Sequence, residues 1–204
     1  MTERPPPMFI ADSIGLDFLN STATPVATPV EWLASGDDLL SWLERGHLIP
    51  REVAASFRRK TSRAELDAVA AQARALREWF RHFVDKHRGK PLKSDALEEL
   101  GPLNRVLERE SEFGRVVRRE RGEGPGVKWQ INRRWLSPEA LLLPIARVIA
   151  DVVCNADFQY IKACQGATCT LFFLDVTHGR VRRWCSMAVC GNRAKQSAHR
   201  KRAR

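Results

Sequence analysis

A mostly α fold with small β elements (α+β) is what this sequence predicts: a multihelical N-terminal region with one β-hairpin, then a treble-clef-like C-terminal module. Three observations carry that expectation. Apolar residues recur in steps of three and four through much of the first 155 positions, the spacing that gathers them on one helix face. Between positions 115 and 131 the period falls to two on either side of a glycine cluster. From Cys164 onward, two Cys-x4-Cys pairs stand fifteen residues apart.

Residues 1–8 contain Pro5-Pro6-Pro7, which can neither continue a helix nor pair in a sheet, and are expected to be disordered. In Gly15-Leu-Asp17-Phe18-Leu19-Asn20-Ser21, Asp17 and Asn20 are polar groups inside an apolar run. Capping a helix or bonding to backbone is their expected role, and lining a small-molecule pocket is the functional alternative. Thr24 to Pro29 reads as a turn-rich connector. A short amphipathic helix follows from Asp37 to Leu43, ending near Gly46, and another opens at Pro50, where a missing N–H costs nothing.

The capping box Ser62-Arg-Ala-Glu65 starts a longer helix with a stripe of Leu66, Val69, Ala73, Leu76, Phe80 and Phe83. Gly89-Lys-Pro91 ends it. Ser94 is expected to cap the next helix, which carries Leu97, Leu100, Leu103 and Leu107, with a kink or restart at Gly101-Pro102. Residues 115–119 and 127–131 flank Gly122-Glu-Gly-Pro-Gly126 as a β-hairpin. Ser137-Pro138-Glu139 then opens a helix whose apolar face, from Leu141 to Val153, is wide enough for the centre of the core; Cys154 on it is expected to be a buried thiol. Residues 158–162 and 171–174 alternate like two strands, and a last helix is expected over 186–201.

Composition narrows the function. The chain of 204 residues is 44% hydrophobic, enough for a sizeable core, and no apolar run approaches the length of a membrane span. Its first residues lack the layout of a signal peptide, so a cytoplasmic protein with no membrane partner is expected. The net charge of +10 is polarised: nine Lys or Arg and no Asp or Glu fall between Thr177 and Arg204, while the rest is nearly balanced. A neutral body with a basic end suits a polyanion. No Gly-rich phosphate loop, HExxH, serine elbow or paired-carboxylate signature is present, so no enzyme is expected and no catalytic residue is named.

Two short cysteine pairs around a longer gap form the pattern of a four-thiolate Zn2+ site, closed and structural rather than hydrolytic. Reduced thiols bound to metal suit an intracellular chain better than two surface disulfides do. His178 and His199 could substitute as ligands, but four thiolates already close the shell.

At Cys190-Gly191-Asn192-Arg193 the chain resembles the CGNR zinc-finger family of bacterial transcription regulators. Arg183-Trp184-Cys185-Ser186-Met187, Ala194-Lys195 and Leu171-Phe172-Phe173-Leu174-Asp175 extend the match over about forty residues. The run from Gly15 to Ser21 resembles the LDFxNT motif of the ABATE-type domain that precedes such fingers, with Ser21 in place of Thr. The resemblance implies one structural zinc on Cys164, Cys169, Cys185 and Cys190, and a module that binds DNA. A helical regulatory domain over 9–155 and a finger over 156–204 follow from it.

The expected function is therefore a transcription regulator that holds duplex DNA through the finger and senses or assembles through its N-terminal domain. A small-molecule effector and a homodimer are the partners consistent with that domain. The candidate nucleic-acid contacts are Arg180, Arg182, Arg183, Arg193, Lys195, Arg200, Lys201 and Arg202, with Arg193 and Lys195 also able to serve the zinc site. A zinc-dependent adaptor for RNA or protein is the alternative.

Overall fold

The computed structural model describes residues 4–25, 28–120 and 122–202, with the backbone alone at Ala198, Lys201 and Arg202. The chain runs α1 (Ile14–Leu19), β1 (Thr22–Ala23), β2 (Val30–Glu31), α2 (Gly36–Arg45), α3 (Arg51–Lys60), α4 (Arg63–His87), α5 (Gly101–Leu107), β3 (Glu112–Arg118), β4 (Val127–Arg133), α6 (Leu142–Asn155), β5 (Ile161–Ala163), β6 (Phe172–Leu174) and α7 (Asn192–Arg202). About half of it is helical, and the strands form three separate antiparallel pairs.

Helix α4 is the mast of the N-terminal region. Its capping box forms: Glu65 N donates to Ser62 Oγ at 3.3 Å, and Ser62 N donates to Glu65 Oε2 at 3.0 Å. The whole stripe from Leu66 to Phe83 is buried, and α1, α2, α5 and α6 pack around it. Helix α6 takes the central place expected of it, burying Leu142, Leu143, Ile145, Ala146, Ile149 and Val152. Helix α1 lies against α6 at Gly15, where a Cβ would stand 2.4 Å from the Val148 carbonyl oxygen. Only glycine permits that approach.

Several expectations are corrected. Residues 4–8 are ordered into the body: Trp32 Nε1 donates to the Pro5 carbonyl at 2.7 Å, and Arg4 pairs with Asp38. Three prolines forbid regular pairing but leave a carbonyl free to accept. Ser94 is no cap; a 3-10 turn over Ser94–Glu99 begins after Lys93, and the chain restarts as α5 at Gly101-Pro102. The break shifts the phase, so Ala96 is buried and Leu97 is 68% exposed. Cys154 is exposed, not buried, because it lies two residues beyond Val152, about 200° around the helix from the apolar face. Residues 158–160 form a 3-10 turn, which delays β5 to Ile161.

One buried cluster includes residues from both sides of position 155, from Ala11 and Leu16 to Phe173 and Cys190. Hydrogen bonds from backbone N–H groups cross the same seam: Leu174 N donates to Ala11 O at 2.9 Å, Gly89 N to Phe158 O at 2.8 Å, and Thr24 N to the Thr170 side-chain Oγ1 at 2.8 Å. Among the described residues no helix is long and apolar enough to cross a membrane.

Candidate metal centre and basic helix

The short hairpin β5–β6 carries the first cysteine pair in its connection: Cys164 follows β5 and Cys169 precedes β6. Of the second pair, Cys185 precedes a turn of π-helix at Met187–Gly191 and Cys190 lies within it; there Val189 N donates to Ser186 Oγ at 2.9 Å and Cys190 N to Ser186 O at 3.1 Å. That turn feeds directly into α7. The four Sγ atoms lie within 4.8 Å of one another, with Cys169–Cys185 at 3.9 Å and Cys185–Cys190 at 3.6 Å.

These spacings decide the chemistry. A disulfide needs sulfurs about 2.05 Å apart. A tetrahedron of thiolates about 2.3 Å from Zn2+ has edges of about 3.8 Å. All five cysteines are free thiols, and the cluster has the tetrahedral size, so the donor set fits one structural Zn2+. His178 and His199 are exposed and, with Cys154, stand outside the cluster.

The surroundings prepare the sulfurs for a cation. Cys185 N and Gly166 N donate to Cys164 Sγ at 3.2 and 3.4 Å, and Arg193 Nη2 donates to Cys190 Sγ at 3.2 Å. Such N–H···S bonds orient ligands and offset their charge. A Cβ on Gly166 would meet Cys190 Sγ at 3.0 Å and Cys169 Cβ at 3.1 Å, so a larger residue there would push on two of the sulfur donors' side chains. Crowding also separates the thiols in acidity. Hydrogen bonds from Cys169 and Cys185 hold Cys164 below the usual cysteine range, while the interaction with Cys164 pushes Cys169 up to about 12. Zn2+ lets all four ionise together.

The structure divides the eight cations proposed as nucleic-acid contacts. Arg182 makes four internal hydrogen bonds: Nε to Trp184 O, Nη1 to Asp12, and Nη2 to Ile10 O and Cys185 O, over the Phe173 ring. Arg193 donates to Val189 O, Pro25 O and Cys190 Sγ. Both guanidinium groups are half-buried and spend most of these N–H donors inside the fold, Arg193 on the zinc-site side of the two roles expected for it. Arg180 donates to Asp175 O beside the Tyr160 ring, and Arg183 donates to Gln165 Oε1 beside Trp184, though both remain exposed. Lys195 and Arg200 are exposed on α7, with no hydrogen-bond or ion-pair partner among the described residues. Lys201 and Arg202 continue that helix, and their side chains lie outside the described residues.

Asp17 and Asn20 are buried and turned to backbone partners. Asp17 Oδ1 accepts from Ile10 N at 2.8 Å and Ala11 N at 3.0 Å, and burial pushes its carboxyl up to about 6 against those bonds. Asn20 donates to Phe172 O at 2.8 Å and accepts from Phe172 N at 2.9 Å. It completes the free edge of β6 as a strand would.

Asp175, the last residue of the run Leu171–Asp175, has a role that the pattern did not assign. It is fully buried, which by itself raises a carboxyl, yet bonds from Lys162 Nζ, Thr177 Oγ1, Thr177 N and Arg182 N hold it well below the usual carboxylate range. It pins the arginine loop against β6. Two signals marked it: it closes the run Leu171–Asp175 quoted above, and it is the last acid of the chain.

A family model described as "Putative stress-induced transcription regulator" (ABATE) matches residues 12–156. A second, described as "CGNR zinc finger", matches residues 160–203. No curated protein matches the chain.

Proposed function

Because the chain belongs to the ABATE family and carries a CGNR zinc finger, we propose that it is a transcription regulator that grips duplex DNA with α7. In this reading residues 9–155 regulate and 156–204 bind, with Cys164, Cys169, Cys185 and Cys190 holding zinc. The observation that carries it is α7 itself: a helix without an acidic residue, fixed to the cysteine cluster through Arg193 and Cys190, with Lys195 and Arg200 facing solvent. Zinc sets the position of the helix, and the helix supplies the cations. Both matched families are regulator and zinc-finger types, not enzymes.

Phosphate contacts by such cations position a protein on a duplex, and each releases counterions. The test is duplex binding across a salt series for the zinc-loaded chain and for Lys195→Ala/Arg200→Ala. Wild-type affinity should fall steeply with salt, and the double variant should lose roughly two units of the log–log slope. A wild-type chain that binds no duplex at low salt, or prefers structured RNA at equal salt, removes this reading.

A further inference from the structure

The β3–β4 hairpin is an arm: its strands pair with each other from Glu112↔Arg133 to Arg118↔Val127 and make no extensive contact with any other element. The register places Glu112, Gly114, Val116 and Arg118 on the same face as Val127, Trp129, Ile131 and Arg133. That face is bare. Val116 and Trp129 are each 67% exposed, Val127 63% and Ile131 59%, and none of the four joins the core. Strict alternation at 127, 129 and 131 is the pattern of a strand with one covered face, yet none of the described residues covers it.

We propose that a second copy of this chain covers this face, the two hairpins packing face to face about a two-fold axis. The charges at the ends of the strip make the face complementary to itself. Glu112 stands at the base of β3, and Arg118 six residues away has no ion pair among the described residues. An antiparallel two-fold arrangement sets each Glu112 against the partner's Arg118, with the apolar strips in contact between them. Glu112 also holds Arg147 at 2.5 Å, with Arg133 at 3.9 Å, both on Oε1, and the second carboxylate oxygen keeps acceptor sites for the partner's guanidinium.

Area is sufficient for a modest interface. A tryptophan presents about 150–250 Å², and an aliphatic side chain roughly 60–120 Å² at the usual transfer coefficient. At their exposures the four residues offer roughly 300 Å² per chain, or about 600 Å² for the pair. Flanking Glu112, Arg118 and the strand backbones add to this, toward the roughly 1,000 Å² that a specific contact needs. The dimer should therefore depend on concentration.

Sedimentation velocity on the zinc-loaded chain, over a wide concentration series, tests this. The wild type should shift from monomer to dimer, and Trp129→Glu should stay monomeric with an unchanged circular dichroism spectrum, since Trp129 packs into no core. Charge reversal supplies the independent arm. Arg118→Glu and Glu112→Arg should each self-associate about tenfold more weakly, and an equimolar mixture should recover the wild-type affinity as a heterodimer. A wild type monomeric throughout, a Trp129→Glu chain that dimerises like the wild type, or a mixture no tighter than its components would overturn the proposal.

Discussion

Asn20→Ala is the most informative single change in this fold. Asn20 is 2% exposed, and both ends of its amide serve the backbone of Phe172, itself 6% exposed, across 152 positions of sequence. Truncation leaves a buried N–H and a buried C=O without partners. Each unsatisfied group costs about 1–3 kcal/mol. Allowing for partial entry of water, the loss should be about 3 kcal/mol, or roughly 6–12 °C in melting temperature for a chain of this size. Thr170→Val provides the contrast, because it removes the acceptor of Thr24 N at the exposed end of the same seam. It should stay within about 0.5 kcal/mol of wild type. Thermal melts of zinc-saturated protein measure both. If Asn20→Ala melts with the wild type, the amide is not holding β6, and the reading of the seam fails.

Other outcomes follow from the same geometry. Asp17, raised by burial from 3.8 to about 6, destabilises the fold once ionised. Its contribution is fully present below pH 3.8 and is lost as pH rises through 6, a change of about 3 kcal/mol. Asp17→Asn keeps the Oδ1 acceptor for Ile10 N and Ala11 N, so it should match wild type in acid and exceed it at neutral pH; denaturant midpoints along a pH series would decide, and parallel profiles would refute it. Metal analysis should give one zinc per chain for wild type and for Cys154→Ser, and a loss of zinc for Cys164→Ser; a loss in Cys154→Ser equal to that in Cys164→Ser would place that exposed thiol in the site. Chelation should lower the melting temperature of the whole chain, because the core cluster spans both matched segments. Helical signal that melts at an unchanged temperature after chelation would argue against that coupling.

Legibility in the sequence followed the range of the interaction. The capping box Ser62–Glu65 and the α4 stripe are local patterns, and they form as written. The cysteine pairs were legible because a metal demands particular donors at short spacing, and the fold gathers all four. Asp17 and Asn20 were visible as polar residues in an apolar run, but their partners were not. Nothing near Asn20 in sequence names Phe172, and nothing near Arg182 names Ile10 or Asp12. Charge counting therefore overstated the basic surface, since it treats an arginine turned into the fold and one facing water as equal. Cys154 failed for a related reason. A wide apolar face near a helix end predicts burial of the helix but not the angle of its last turn.

The seam between α1 and β6 also orders events in time. Synthesis begins at the N-terminus, so Phe18, Leu19 and Asn20 emerge long before the strand that covers them. Until residues 160–193 have been made, Asn20 has no backbone to bond, and Pro25 has no arginine to accept from. The earliest helix is thus among the last to be completed. Contacts of such sequence separation slow folding and leave apolar surface open while they wait. A nascent chain halted near position 155 would carry a helical body with an open flank, and metal capture by the four thiols would mark the moment that flank closes.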